Sequence, residues 1–385
     1  MKDETRIVHG GTDLDFEIRI VNPPVYRAST VLYPTVESLK DHNRTYTYGR
    51  HGTPTTRALE TALAALEGGE KTVLLPSGLA AITCALLSVL KAGDHLLVTD
   101  AVYAPNRRFC DRFLSRMGVS VSYYDPMIGA GIDALFQPNT RAVFVEAPSS
   151  LTFEVQDLPA IAAAAHKNGA LVLVDNTWAS PLYFKPLAHG ADISIQAATK
   201  YVCGHSDIML GTITASGEVA SAVHDTHGLT GHHVSPDDVY MGLRGLRTLG
   251  VRMPRHYENG LAVARWLQGR KEVERVLHPA LEGSAGHAIW KRDFLGASGT
   301  FGAILKPVPK KAIAAMLEHL TLFSLGYSFG GYESLILLTD PRPQRSVTQW
   351  TDAPTLRLHV GLEDAGDLIA DLDAGFARMA QEAGA

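Results

Sequence analysis

Apolar positions change their spacing several times along this chain, and each change marks an element. Leu59, Ala62, Leu63 and Leu66 recur at three- and four-residue intervals, the period of a helix with one buried face, and Gly68-Gly69 ends the run. Short, nearly continuous apolar runs follow: KTVLL, HLLVT, VSVSYY, RAVFVEA, ALVLVD and ADISIQ. Helical stretches such as LAAITCALLSVL and LPAIAAAAHKNG separate most of them. Strands that are apolar on both faces and alternate with helices predict an α/β domain whose largely parallel sheet is covered on both sides. This block spans residues 51–246. From 247 to 385 the pattern has longer helical periods (NGLAVARWLQG, KKAIAAMLEHL, AGDLIADLDAGFARM) and strands such as FGAILKP and TLRLHVGL, which predict a smaller C-terminal α/β domain. Residues 1–50, with Pro23, Pro24 and Pro34, read as an irregular arm with little core of its own.

Composition narrows the function classes. Hydrophobic residues make up 46% of the 385, enough for a large core and too many for a disordered chain. A formal net charge of -5 lacks the basic excess that a nucleic-acid partner requires. Cys84, Cys110 and Cys203 are too few and too far apart for a disulfide framework or a zinc site, so reduced thiols in a cytoplasm are expected. The charged start MKDETRIVHGG has no apolar core of a signal peptide, and no apolar run reaches membrane-spanning length.

In an open α/β sheet, ligands gather at the carboxyl ends of the strands. Three candidates lie there. Pro76-Ser77-Gly78-Leu79 follows KTVLL and opens a helix, where free N–H groups and the helix dipole attract an anion. Asp175 ends LVLVD, and Lys200 follows ADISIQ in the segment QAATKYVCGHSD. Alone, each keeps a plainer reading: a tight turn, a helix cap, a solvated surface charge. Together, an anion cradle, a carboxylate and a lysine on successive strand ends are what pyridoxal phosphate (PLP) needs. Neither nucleotide fingerprint, GxGxxG or GxxxxGK[ST], is present. His224, His227, His232 and His233 cluster late in the segment 216–236, but their spacing matches no zinc pattern and no metal is expected.

Ordered motifs then run through nearly the whole chain: Tyr46-Thr47-Tyr48-Gly49-Arg50, LEGGEKTVLLPSGLAA, VDNTWASPL, Thr199-Lys200-Tyr201 with GHSD, GLRTLG, YSFGGYESL and LRLHVGLEDAGDLIADLD. On these the chain resembles the Cys/Met-metabolism family of PLP enzymes, above all its bacterial β-lyases. The resemblance implies the fold type I, aspartate-aminotransferase-like architecture. It implies Lys200 as the lysine that carries PLP and shuttles protons, with Tyr103 and Tyr48 in the catalytic set. Asp175 becomes the partner of the cofactor's ring nitrogen and Tyr103 the ring that stacks on it. Gly78, Leu79 and Thr199 become phosphate contacts. Tyr48 and Arg50 are expected to reach the phosphate of a neighbouring subunit, in a tetramer built from two dimers. Arg357 is expected to bind the substrate α-carboxylate, and Tyr327, Ser328 and Phe329 to line the substrate site.

The implied activity is cleavage of cystathionine to homocysteine, pyruvate and ammonia, in methionine biosynthesis. A broader cysteine-S-conjugate β-lyase or cysteine desulfhydrase, or a γ-enzyme of the family, stays open. The resemblance favours β-elimination because Tyr327 stands where the γ-enzymes carry glutamate, and Ala104-Pro105 replaces their Gly-rich continuation. Phe329 departs from the tryptophan of familiar bacterial β-lyases, and the segment 216–236 fits the family pattern least.

Overall fold

The computed structural model describes residues 1–12, 20–41 and 44–384, so parts of the predicted arm (13–19 and 42–43) lie outside the described residues. Helix α1 (Asp3–His9) opens the chain. Helix α2 (Pro54–Glu67) starts where the Thr53 side chain accepts from the Thr56 N–H, with proline in its first turn, and stops at Gly68 in the left-handed conformation.

Among the described residues, β1 (Lys71–Leu75), β2 (His95–Thr99), β3 (Ser120–Tyr124), β4 (Thr140–Glu146), β5 (Leu171–Asp175), β6 (Ile193–Gln196) and β7 (Gly211–Ala215) form one sheet in the order β1-β7-β6-β5-β4-β2-β3. The pairs from β6 through β5, β4 and β2 to β3 are parallel, and β7 runs against both neighbours. Every residue of β2, β6 and β7 is buried, which explains their unbroken apolar or small-residue runs. Six predicted strands match six observed ones. The seventh, GTITA, has no long apolar run to announce it.

A second sheet uses β8 (Val273–Leu277), β9 (Thr300–Leu305), β10 (Ser324–Leu325), β11 (Leu335–Thr339) and β12 (Thr355–His359), in the order β10-β11-β12-β9-β8. Helices Leu249–Gln268 and Ala365–Gly384 cover it, with Val263, Leu267, Leu368, Leu372 and Phe376 packed on Phe301, Ala303 and Leu358. No described helix is long and apolar enough to cross a membrane.

The arm is better anchored than its sequence suggests. Ile7 of α1 is buried with Ala58, Leu59 and Ala62, and Arg247 Nη1 donates to the carbonyls of Ile7 (2.9 Å) and Gly10 (2.7 Å). One buried side chain in a seven-residue helix is too little periodicity to read from sequence. Segment 216–236 likewise holds a full helix, Gly217–Leu229, and His227 Nε2 lies 2.9 Å from the Leu74 carbonyl. The described residues hold no group of three or more His, Cys, Asp or Glu side chains arranged for a metal.

Candidate active site

The carboxyl ends of β1, β2, β4, β5 and β6 all open into one cavity of about 630 Å³ between the two sheets. Its floor comes from the larger sheet and its roof from the turn before β11 and from β12.

On one side lies helix α3 (Gly78–Val89). The Ser77 side chain caps it by accepting from the Ala80 N–H at 3.1 Å. The N–H groups of Gly78 and Leu79 then find no acceptor in the described chain. A Cβ on Gly78 would lie 2.4 Å from the Ala197 Cβ, so only glycine lets this helix start sit against the loop that carries Lys200. Thr199 borders the same corner, with its hydroxyl donating to the Leu210 carbonyl (3.1 Å) and accepting from the Leu210 N–H (2.8 Å).

On the opposite side, Asp175 is buried at the end of β5. Its Oδ1 accepts from the Thr177 N–H (3.0 Å) and hydroxyl (2.5 Å), and Oδ2 has no partner within the described chain. Burial raises this carboxyl, while the Thr177 bonds and Lys200 pull it back. A buried, half-satisfied carboxylate of this kind calls for a cationic N–H partner. Beside it in the ladder stands Glu146, paired in register across β4 and β5. Burial and the Asp175 charge push the Glu146 carboxyl well above its usual range, and Oε2 accepts from the Tyr103 N–H at 2.7 Å. Tyr103 is thereby fixed at the cavity wall, with part of its ring open to it.

Between these sides lies Lys200. Burial first, then the nearby Arg357 charge, lower its amine to about 8, against a smaller opposing pull from Asp175. Nζ donates to Ser328 Oγ at 2.5 Å and lies 5.1 Å from the Phe329 ring centre. Ser328 has a φ of +86°, a strained conformation for a residue with a Cβ. The turn is held from behind. His359, kept neutral by burial, places Nε2 3.1 Å from the Gly330 nitrogen and 3.0 Å from the Gly331 oxygen. A Cβ on Gly330 would come within 2.8 Å of the Lys200 backbone. Arg357 Nη2 donates to the Ser328 carbonyl at 2.8 Å, and its Nε is buried without a partner. Arg357 lines the cavity, and a guanidinium in that place suits a carboxylate ligand. Tyr327 reaches the rim and is mostly exposed.

The structure thus gathers Gly78, Leu79, Tyr103, Asp175, Thr199, Lys200, Tyr327, Ser328, Phe329 and Arg357 around one space. Tyr48 and Arg50 are not among its lining; Arg50 Nη1 donates to the Gly228 carbonyl at 2.9 Å, and Tyr48 is well exposed. Sequence reasoning passed over Glu146, although a second carboxylate ending a buried strand was a usable signal. It also passed over Asp100, which has no exposed surface. At the end of β2, Asp100 accepts the backbone N–H groups of Ser346 (2.8 Å), Val347 (2.9 Å) and Thr348 (3.0 Å) and the Ser346 hydroxyl (2.8 Å). Arg345, from the same loop, pairs with Glu154 at 2.9 Å. The roof is therefore latched to the floor.

Free helix N–H groups on one side, an unpaired carboxylate oxygen on the other, an aromatic side chain and a depressed lysine amine fit a phosphate-bearing pyridine aldehyde. The comparisons with known proteins point the same way. Residues 4–377 match the family described as Cys/Met metabolism PLP-dependent enzyme. The chain is 52% identical to a Rhizobium johnstonii protein that carries a provisional cystathionine beta-lyase name, over 97% of this chain and 95% of that one. It is 45% identical to cystathionine beta-lyase of Escherichia coli, over 98% and 99% of the two chains. Among solved structures, cystathionine gamma synthase from Xanthomonas oryzae pv. oryzae superposes with a TM-score of 0.91 at 33% identity, covering 99% of each chain.

Proposed function

Because this chain belongs to the Cys/Met metabolism PLP-dependent enzymes, with pyridoxal 5'-phosphate as its cofactor, we propose that it is a carbon–sulfur β-lyase that splits L-cystathionine with water into L-homocysteine, pyruvate and ammonia. The observation that carries the reaction class is the buried Lys200 amine set between Asp175 and Arg357. The choice of cystathionine rests on the full-length likeness to lyases named for it.

When bound, the cofactor supplies an electron sink for negative charge at the substrate Cα. The chain's own groups do the rest. Lys200 Nζ would hold the cofactor, and as a free amine it would take the α-proton. A proton acceptor must be uncharged, and burial with the Arg357 charge brings this amine close enough to neutral pH for that. Ser328 Oγ aims Nζ. Asp175 Oδ2 is free to hold the ring nitrogen in its protonated form, while Thr177 fixes the carboxylate plane. The Gly78 and Leu79 N–H groups would hold the phosphate, with Thr199 beside them, and Tyr103 would pack on the ring. Arg357 takes the α-carboxylate in its fork, which leaves the Cα–H bond directed at Lys200. Tyr327, Ser328 and Phe329 wall the carbon–sulfur bond.

The test is to supply cystathionine and identify the keto acid. Pyruvate with homocysteine is the expected pair. 2-Oxobutyrate with cysteine as the main products would mean γ-elimination and overturn the reading.

We further propose that Tyr48 and Arg50 complete the site of a second copy, in a homo-oligomer that works in the cytoplasm. Their absence from the lining of their own cavity supports this, and the three buried free thiols suit a reducing compartment. Mixing inactive Lys200→Ala with weakly active Arg50→Ala, under conditions where mass spectrometry shows subunit exchange, is expected to restore activity through hybrid dimers that hold one intact site. Exchange without recovery sinks the shared site.

A further inference from the structure

A closed ring of contacts leaves Lys200 through its backbone and returns to its amine, and a buried imidazole joins the two halves. Lys200 runs into Tyr201, whose hydroxyl lies 2.9 Å from Thr300 Oγ1 on β9. Thr300 Oγ1 lies 3.2 Å from His359 Nδ1 at the end of β12. On its other side the imidazole reaches the roof turn. Nε2 is 3.0 Å from the Gly331 carbonyl oxygen, and the Gly330 nitrogen lies 3.1 Å from Nε2 and 3.4 Å from Nδ1. The same turn carries Ser328, whose Oγ meets Lys200 Nζ at 2.5 Å.

Tyr201, Thr300 and His359 are all buried, and their packing leaves the turn little room. The Phe329 ring centre lies 5.7 Å from that of Tyr201 and 6.4 Å from that of His359. Gly330 sits so close to the Lys200 backbone that a Cβ would fall 2.8 Å from it. Ser328, at a φ of +86°, keeps its strained conformation only while its surroundings hold it there. His359 is suited to that task. With Nε2 donating to the Gly331 carbonyl, Nδ1 keeps the lone pair that the Gly330 N–H and the Thr300 hydroxyl require. Only a neutral imidazole does both, and burial keeps this one neutral. Along β12, His359 lies two residues beyond Arg357, so both side chains leave the same face of the strand. Arg357 lines the cavity and His359 does not. Arg357 also holds the turn, at the Ser328 carbonyl, but it is the group expected to meet substrate. The imidazole is the anchor behind it.

We propose that His359 is a positioning residue for proton transfer at Lys200: it fixes the turn 328–331 so that Ser328 Oγ stays on Nζ. It acts through Ser328 and not by touching substrate or cofactor. This rests on the reading of Lys200 as the proton-transferring amine and deepens it. It is indifferent to which carbon–sulfur bond the enzyme breaks.

The test is a double-mutant cycle on the PLP-loaded enzyme: Ser328→Ala, His359→Leu and the two together, with turnover of cystathionine read as total keto acid. Each single change is expected to lower kcat by about ten- to a hundredfold, the cost of a misplaced reacting group. Because one acts through the other, the double variant is expected to lose no more than about threefold beyond the worse single one. His359→Gln, whose carboxamide offers both a donor and an acceptor, is expected to recover most of kcat. The second readout is the visible circular dichroism of the bound cofactor, expected to change alike in both single variants and no further in the double. Losses that multiply overturn the proposal, since His359 would then serve the core alone. So does a dichroism band unmoved in His359→Leu, or a kcat there within about threefold of wild type. A fully active Ser328→Ala overturns it too, because nothing would be left to position. Should urea unfolding show that His359→Leu does not fold, His359→Asn, polar but shorter, takes its place in the cycle. If cystathionine yields 2-oxobutyrate, the β-lyase reading falls by itself, and the cycle still judges His359.

Discussion

Lys200→Ala is expected to lower kcat for pyruvate release by on the order of ten-thousandfold or more, with the protein still folded and still retaining PLP. Among the described lining residues, the half-buried Lys200 amine is the base brought near neutral pH, and the Ser328 hydroxyl that meets it at 2.5 Å cannot replace it as a proton acceptor there. The anion cradle at Gly78 and the Asp175 carboxylate remain, so the cofactor loses its covalent tether and keeps its other contacts. Two measurements check this together. Borohydride reduction of wild type followed by peptide mapping should place the cofactor on Lys200, and the variant should release cofactor on denaturation without a label. A label on another lysine, or residual turnover within tenfold of wild type, would refute the assignment.

The second large effect concerns the latch between the sheets. Burial alone would raise the Asp100 carboxyl, but the N–H groups of Thr348, Ser346 and Val347 outweigh it and hold the carboxyl down to about 2. An unfolded aspartate titrates near 3.9, so the folded state favours the ionised form by about 2 to 3 kcal/mol. The folded value is the depressed one. The stabilisation is therefore complete above the unfolded value and is lost as pH falls through about 2. Asp100→Asn turns an amide N–H₂ toward donors and removes the charge, and it is expected to cost about 3 kcal/mol at neutral pH. Urea unfolding of the two proteins should show that gap at pH 7 and a narrower one as pH drops below the unfolded value. Equal stability at pH 7 would show that the loop 344–348 is held by something else. Because this loop carries Gln344 and Arg345, the variant should also lose activity before it loses structure.

Much of this was legible in the sequence because burial on both faces leaves a distinct trace. KTVLL, HLLVT and ALVLVD carry apolar runs without alternation, as a sheet covered on both faces requires. Asp175 and Lys200 stood out as polar residues at the ends of such runs. Strand β7 escaped because GTITA is small and hydroxylated; its Thr72–Thr214 cross-strand bond is a polar solution to burial that carries no hydrophobic signal. Asp100 escaped for a different reason. Its partners lie about 246 positions later, in a loop of ordinary polar residues, and no local pattern reports so distant a bond. Glu146 was hidden by its own strand, where VFVEA reads as core. The roof residues were found only through resemblance, since the φ of Ser328 and the close approach of Gly330 are properties of the folded turn.

The division of the cavity between an early floor and a late roof also sets an order in time. Gly78, Tyr103, Asp175 and Lys200 have all been synthesised once translation passes residue 200, whereas Ser328, Phe329 and Arg357 follow more than a hundred residues later. A growing chain therefore owns the floor of the cavity first, without the roof residues expected to position an amino acid. The Asp100 carboxylate waits with it, matched only by Arg107 at 3.2 Å until the N–H groups of residues 346–348 arrive. A chain cut short before residue 328 has the floor of the cavity and lacks Ser328, Phe329 and Arg357, and it is expected to turn over no substrate.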